Sequence, residues 1–433
     1  MPPQPPLTRL PSTWEPWESL LDEAAAADLQ VGDKLDLTNE DAARAERWRL
    51  QVRQGPVSLL PVVDAWNIAL CMRAHLVLAF LQQFYVQSLP TYVSPIIIPR
   101  SIAIPLLRIS RTLDLPPILT YSDTVLYNWH VDPTRDIPTE NDKEGLPTPE
   151  TVRTHTMFTN TIDEEEFYLC SARIELRGVE ALELMRMMMD EMFVGDAIAI
   201  HRISGYLKRM TSVIDNIRTL LLDVKKLCRP DIYYNVVRPW LRGEDSDAGK
   251  RKWIFEGVDE NQQPAELSGP SAGQSALVHV LDIYLGVDHQ ASATPQKPSF
   301  MNRMQIYMPR NHRLFLNHLA ANPRPLRAFV MRSQDQEMID VYNRAVVTLK
   351  ELRDAHMIIT TLFVVGPARR AARAALERKE REMEMEKLVA DGEESSGDAA
   401  KSKDDTLRGT GGTDLVKFLK DTRTRTTEAV IQK

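Results

Sequence analysis

Cysteine is scarce in this sequence. Three occur in 433 residues, Cys71, Cys170 and Cys228, far apart and odd in number. Neither a disulfide framework nor a zinc site is indicated, and a reducing compartment such as the cytoplasm fits best. Basic charge is not in excess either. A formal net charge of −7 argues against nucleic-acid binding as the main function. No apolar run approaches the length of a membrane span: the longest candidate, 76–89, is interrupted by Gln82, Gln83 and Gln87. The opening residues hold no apolar segment of the secretory kind. A cytoplasmic protein without a nucleic-acid or membrane partner is therefore expected.

Several catalytic signatures are missing as well. There is no His-Glu-x-x-His, which argues against a zinc hydrolase, and His312 and His318 are spaced six apart, too far round a helix to share a face. Gly-x-Ser-x-Gly is absent, against an α/β-hydrolase. No Gly-x-Gly-x-x-Gly follows a strand, and the glycine-rich 408–413 stretch lacks the Gly-Lys-Ser/Thr of a phosphate loop.

What is there reads as a mainly α-helical globular chain, 43% hydrophobic and 26% charged. Residues 1–16 are Pro-rich and irregular. Residues 17–150 read as a small N-terminal domain, with helices over 17–29, 39–54 (capped by Asn39) and 59–87 and an extended piece at 96–98. Residues 151–433 read as a large all-helical domain. Its helices are expected over 164–193, 196–228, 232–241, 275–285, 300–308, 310–319 and 333–367, with 158–162 extended. Within it, 368–407 is a charged, partly disordered linker whose first part, 368–388, is a solvated helix. The stretch 408–433 is a lid loop with a short final helix.

The segment 333–367 organises the rest. Ser333 with Gln336 has the spacing of a capping box, and Gly366-Pro367 is expected to stop the helix. Met338, Tyr342, Ala345, Leu349, Leu352, His356, Ile359 and Phe363 recur at steps of four and three, one stripe on one helix face. His356 is the ionisable member. An inward imidazole needs a partner for its ring nitrogens, and the commoner outcome is a satisfied core histidine. The alternative is a metal ligand, and a single inward histidine in a helical protein is compatible with haem. Arg353, one turn earlier, could meet a haem propionate or, more simply on spacing, a nearby acid. Arg238 lies among Tyr233, Tyr234 and Trp240, where it could stack or clamp a carboxylate. Small residues at 269–275 open the helix that carries Asp282; they make a turn and cap, or let a ligand approach the backbone.

Five segments together resemble the indoleamine 2,3-dioxygenase family: LPPILTYSDTVLYNW (115–129), SGPSAGQSALVHVLDIYLG (268–286), YMPRNHRLFL (307–316), LKELRDAH (349–356) and GTGGTDLVKFLK (409–420). They occur in the family's order. The resemblance implies a small N-terminal domain and a large all-helical domain holding haem b. It also implies cleavage by dioxygen of the indole C2–C3 bond of L-tryptophan to N-formylkynurenine, the first step of the kynurenine pathway. A reductant would keep the haem ferrous, and the protein would act as a monomer. By the same resemblance His356 is the proximal iron ligand, Arg353 reaches a propionate, and Asp282 supports that side. Tyr121, Phe167 and Ser171 shape the distal pocket without acting as a general base. Arg238 binds the substrate carboxylate with Tyr233 and Tyr234 adjoining; Ser271 and Ala272 form a loop over the ligands, and Thr410 sits in the mobile segment. The chain departs from the animal enzymes at Tyr233 and Tyr234 (phenylalanines there), at Thr124 (cysteine there) and in a longer linker, which suggests a fungal-type member. Those departures leave a second expectation open, a haem-binding sensor or a low-activity paralogue acting on another indoleamine.

Overall fold

The computed structural model describes residues 1–2, 4–55, 67–132, 147–247, 249–287, 299–321, 326–389 and 415–432. Helices α1 (Glu15–Ala26), α2 (Asn39–Gln54), α3 (Ile68–Gln87) and α4 (Arg100–Leu113) build the first core. The α3 helix is its axis. By length and composition α3 could cross a membrane, yet 83% of its apolar window is buried inside the fold. Two of its three glutamines are put to use: Gln83 and Gln87 donate to the Arg242 carbonyl at 3.3 and 2.9 Å. The buried pair Arg73–Glu18, at 2.7 Å, ties α3 to α1.

This core draws in residues far down the chain. Strand β1 (Ile96–Ile98) pairs in parallel with β4 (Trp253–Phe255), Ile97 opposite Ile254. Trp240 stacks on Phe158 with centroids 5.6 Å apart and tilts against Phe84 of α3 at 5.2 Å. The mainly helical second half thus carries a strand of three residues, β4, too short to show an alternating pattern. A second two-stranded sheet pairs β2 (Trp129–Val131) with β3 (Val152–Thr154) in antiparallel fashion. The expected extension over 158–162 ends instead in the start of a helix.

That helix, α5 (Ile162–Val194), is capped by Thr161, whose hydroxyl accepts from the Glu164 N–H. It packs on α6 (Ala197–Asp223), and α6 packs on α12 (Gln336–Thr360). After the short α7 (Pro230–Ile232) the chain runs through irregular helical turns to α8 (Ala276–Tyr284). At Gly178 of α5 an added Cβ would fall 2.3 Å from Leu277 Cδ2, so the absent side chain is what lets α8 seat against α5. The short α9 (Phe300–Met304), α10 (Arg310–Ala321) and α11 (Leu326–Ser333) follow, and α14 (Leu415–Glu428) packs along α12. Apolar faces of α5, α6, α8, α11 and α12 form the second core.

Three local readings are corrected. Thr38, not Asn39, caps α2, in a box with Asp41. Ser333 ends α11, with its hydroxyl donating to the Val330 carbonyl at 2.7 Å, and Asp335 caps α12 through the Met338 N–H at 2.7 Å. Gly366-Pro367 does not stop the helix. The chain passes through a wide turn, Thr361–Val365, into α13 (Gly366–Val389). Pro367 is tolerated there because the first turn of a helix has no intrahelical use for its N–H.

Candidate functional site

Most of the stripe on α12 faces inward: Met338, Tyr342, Ala345 and Leu349 are buried, Leu352 is half-buried, and beyond His356 Ile359 and Phe363 are buried. His356 itself keeps partial access to open space. Burial, then the positive charge of Arg353, push its pKa down to about 4, so the imidazole is neutral at ordinary pH. Among the described residues it has no hydrogen-bond partner. Two other inward histidines show what a structural role looks like. His75 places Nδ1 2.7 Å from Asp123 and Nε2 3.1 Å from the Pro116 carbonyl. His279 meets the Gly273 carbonyl at 2.9 Å and Gln305 at 3.3 Å.

Helix α5 carries Phe167, Cys170, Ser171 and Glu175 at the helical spacings of three and four, and Phe167 and Cys170 pack with Ile359 and Phe363. Phe167 lies 4.3 Å from the Tyr233 ring, and Tyr233 lies 5.7 Å from Phe363. Cys170, Cys228, Val237 and Ile359 complete this apolar wall. Burial pushes both thiols up to about 12, so they stay protonated and inert. Phe167, Tyr233 and the His356 helix are thus brought together.

Arg238 opens the turn Arg238–Leu241, whose place is fixed by the stacked Trp240. Its guanidinium lies over the Tyr234 ring, 5.4 Å from the centroid, and burial lowers its pKa from the usual arginine value. Gly243 then brings this segment hard against the loop before α8: a Cβ there would lie 2.4 Å from the Leu267 carbonyl oxygen and 2.5 Å from the Gly269 nitrogen. The loop is pinned at several points. Ser268 donates its N–H to the Tyr307 hydroxyl at 2.9 Å and its own hydroxyl to Asp245 at 2.5 Å. Ser271 caps the following turn, accepting from the Gly273 N–H at 3.2 Å, and Ala272 is exposed.

Gln274 and Glu175 escaped the sequence reading and do much of the organising. Gln274, 1% exposed, accepts from the Tyr121 N–H at 2.8 Å and donates to the Gly269 carbonyl at 2.9 Å. Glu175 accepts from the Tyr121 hydroxyl at 3.0 Å and from the Ser275 hydroxyl at 2.5 Å. The Ser171 hydroxyl adjoins that of Tyr121, whose pKa is raised well above the usual phenol value by burial and by Glu175. Glu175 lies four residues after Ser171, a spacing that could have flagged it. Thr124 is buried and donates to the Thr120 carbonyl at 3.3 Å, so its hydroxyl is taken up within its own turn.

Arg353 and Asp282 form a buried ion pair, and Arg353 also donates to the Thr422 carbonyl at 3.2 Å. Arg423 pairs with Asp354 at 2.5 Å. Both links tie α14 to the His356 helix. Thr410 lies outside the described residues.

Fold and site together define a mainly helical protein with a neutral imidazole on α12, an aromatic wall of Phe167, Tyr233 and Phe363 packed at the end of that helix, and a buried arginine beside Tyr234. The chain belongs to the indoleamine 2,3-dioxygenase family, whose model matches residues 1–429. It is 30% identical to human indoleamine 2,3-dioxygenase 2 over 359 residues, 83% of this chain and 79% of that protein. It is 31% identical to the Saccharomyces cerevisiae indoleamine 2,3-dioxygenase over 366 residues, 82% and 77% of the two chains. Similarity extends to a 6-hydroxytryptophan 2,3-dioxygenase of Fusarium equiseti, 27% identical over 441 residues, 99% and 95% of the two chains. The protein is accordingly an oxidoreductase of dioxygenase type.

Proposed function

We propose that this chain binds haem b through His356 and uses dioxygen to open the C2–C3 bond of the indole ring of L-tryptophan, giving N-formylkynurenine. The observation that carries the reading is His356: a neutral, partly exposed imidazole with no hydrogen-bond partner among the described residues. Neutral imidazole is the form that ligates iron, and a satisfied core histidine would have its nitrogens engaged as His75 does. The residues present therefore fit the cofactor. Bound there and kept ferrous by a reductant, haem supplies the site at which dioxygen is activated.

The remaining work falls to the protein. Arg238 presents a fork of N–H donors suited to a carboxylate, and fixing the amino-acid end orients the indole. Phe167, Tyr233 and Phe363 supply apolar surface that excludes water. The Tyr121 hydroxyl, held protonated by burial and by Glu175, is a donor and not a base. Ser171 beside it adds a second hydroxyl, which supports a chemistry that needs no strong general base on that side. Arg353 and Asp282 stiffen the helix that offers His356. The three cysteines are unpaired and buried, in keeping with action in a reducing cytoplasm.

The test is an absorption spectrum followed by turnover. The purified protein should show a Soret band and convert L-tryptophan to N-formylkynurenine under reducing conditions. His356→Ala should lose both haem and activity; a variant that kept both would remove His356 from the ligand role.

A further inference from the structure

Tyr233 poses a problem that the apolar wall does not solve. The residue is 5% exposed, its ring packed against Phe167 and Phe363, with Val237 and Cys228 in the same cluster. A phenylalanine would fill that shell without a polar group to satisfy. The Tyr233 hydroxyl has no hydrogen-bond partner among the described residues, nor is it sealed off: it borders open space. A buried hydroxyl left in that condition is unfavourable unless a ligand or water meets it.

The backbone says which ligand group is near. Tyr233–Val237 is an i→i+5 turn, closed by the Arg238 N–H donating to the Tyr233 carbonyl. Residues joined in this way lie one above the other on the same side of the chain. Tyr233 and Arg238 are thus neighbours, and the Arg238 charge acts on the Tyr233 hydroxyl. Burial outweighs that charge and keeps the phenol protonated, hence a donor. Tyr234 plays a different part, offering its ring face to the guanidinium.

We infer that the Tyr233 hydroxyl donates a second hydrogen bond to the substrate carboxylate beside Arg238, so that the site selects indole amino acids over decarboxylated indoleamines. A carboxylate has lone pairs to spare after an arginine fork has taken two, and a hydroxyl beside the fork can use one. A tryptamine-like amine offers that hydroxyl no acceptor at the same place. The inference rests on the dioxygenase reading and adds to it the chemical class of substrate.

The experiment uses the haem-loaded full chain and Tyr233→Phe, which keeps the ring and its packing. L-Tryptophan, indole-3-propionate and tryptamine are titrated against the ferric protein by the shift of the Soret band, and kcat and KM are measured for L-tryptophan. The substitution should weaken both carboxylate ligands about tenfold, the size of a lost hydrogen bond to a charged group. Tryptamine should weaken far less, and the L-tryptophan loss should appear mainly in KM. Equal weakening of all three would show a packing effect, and no weakening would show that the hydroxyl faces elsewhere; either result overturns the inference. A wild-type protein with no Soret band or no N-formylkynurenine product would instead overturn the dioxygenase reading itself.

Discussion

Gln274 offers the sharpest test of how the site is held. Its side chain is buried and bridges two backbone groups, accepting from the Tyr121 N–H at 2.8 Å and donating to the Gly269 carbonyl at 2.9 Å. Gln274→Leu keeps nearly the same volume, so a cavity contributes little and the loss comes from two backbone groups left without partners. At about 1–3 kcal/mol for each buried unsatisfied group, destabilisation of about 2–6 kcal/mol is expected. Gln274→Glu separates the two bonds. Ionised, it still accepts from Tyr121 but sets a carboxylate oxygen against the Gly269 carbonyl; protonated, its O–H can donate to that carbonyl. The glutamate variant should therefore regain stability as pH falls through the carboxylate range, which the leucine variant cannot do. Urea denaturation of the haem-loaded protein at two pH values reads both effects, and L-tryptophan kcat/KM should fall in each variant as the Ser271 loop loosens against Tyr121. If both variants unfold within about 0.5 kcal/mol of wild type at neutral pH, the bridge is not what holds the loop.

Two further perturbations probe the ion pair and the pH response. The Arg353–Asp282 pair is buried, so Arg353→Leu or Asp282→Asn alone should cost about 3–5 kcal/mol, and the double variant should recover part of that because no charge is then stranded. Strict additivity in a four-member denaturation cycle would deny the coupling. His155 tests pH dependence: burial, then Arg73, hold its pKa at about 4 against an ordinary 6.5. Above 6.5 neither folded nor unfolded chain is protonated there. As pH falls from 6.5 towards 4 the unfolded chain binds a proton that the folded chain refuses, so stability is lost on the acid side, by about 2–3 kcal/mol at most for this partly exposed ring. His155→Gln should flatten that part of the stability profile measured between pH 7.5 and 5; an unchanged slope would clear His155 of the effect.

The periodic elements were the most legible. The α12 stripe could be read because the helical repeat alone reports which residues share a face, and the buried members came out where the spacing put them. Spacing could not report what stands opposite that face. Arg353 meets Asp282 across 71 positions of sequence, and Gln274 meets Tyr121 across 153. The 269–275 segment drew notice for its small residues, yet the residue that fixes it is the glutamine among them. The cap of α12 was misplaced by two positions because serine and aspartate are near-equal caps; packing of α11 claimed Ser333 and left Asp335 at the helix start.

One class of feature lay wholly outside periodic reading. Three i→i+5 turns occur among the described residues, Ser122–Leu126, Tyr233–Val237 and Thr361–Val365. Each adjoins a wall of the site: the first comes just after Tyr121, the second carries Tyr233 and leads to Arg238, and the third continues the His356 helix and holds Phe363. Such turns insert a residue into a helix and re-aim the side chains beyond it. Five residues of ordinary α-helix turn through roughly 500°, which would leave Tyr233 and Arg238 pointing about 140° apart. In the wider turn they lie on one side, where an arginine and a phenol can address one ligand. No propensity or hydrophobic pattern encodes that choice, because an amphipathic count over 232–241 assumes the regular repeat that the turn breaks. The local departures from α-helical geometry thus gather beside Tyr121, Arg238 and the His356 helix, and a periodic reading could not give the mutual aim of the side chains there.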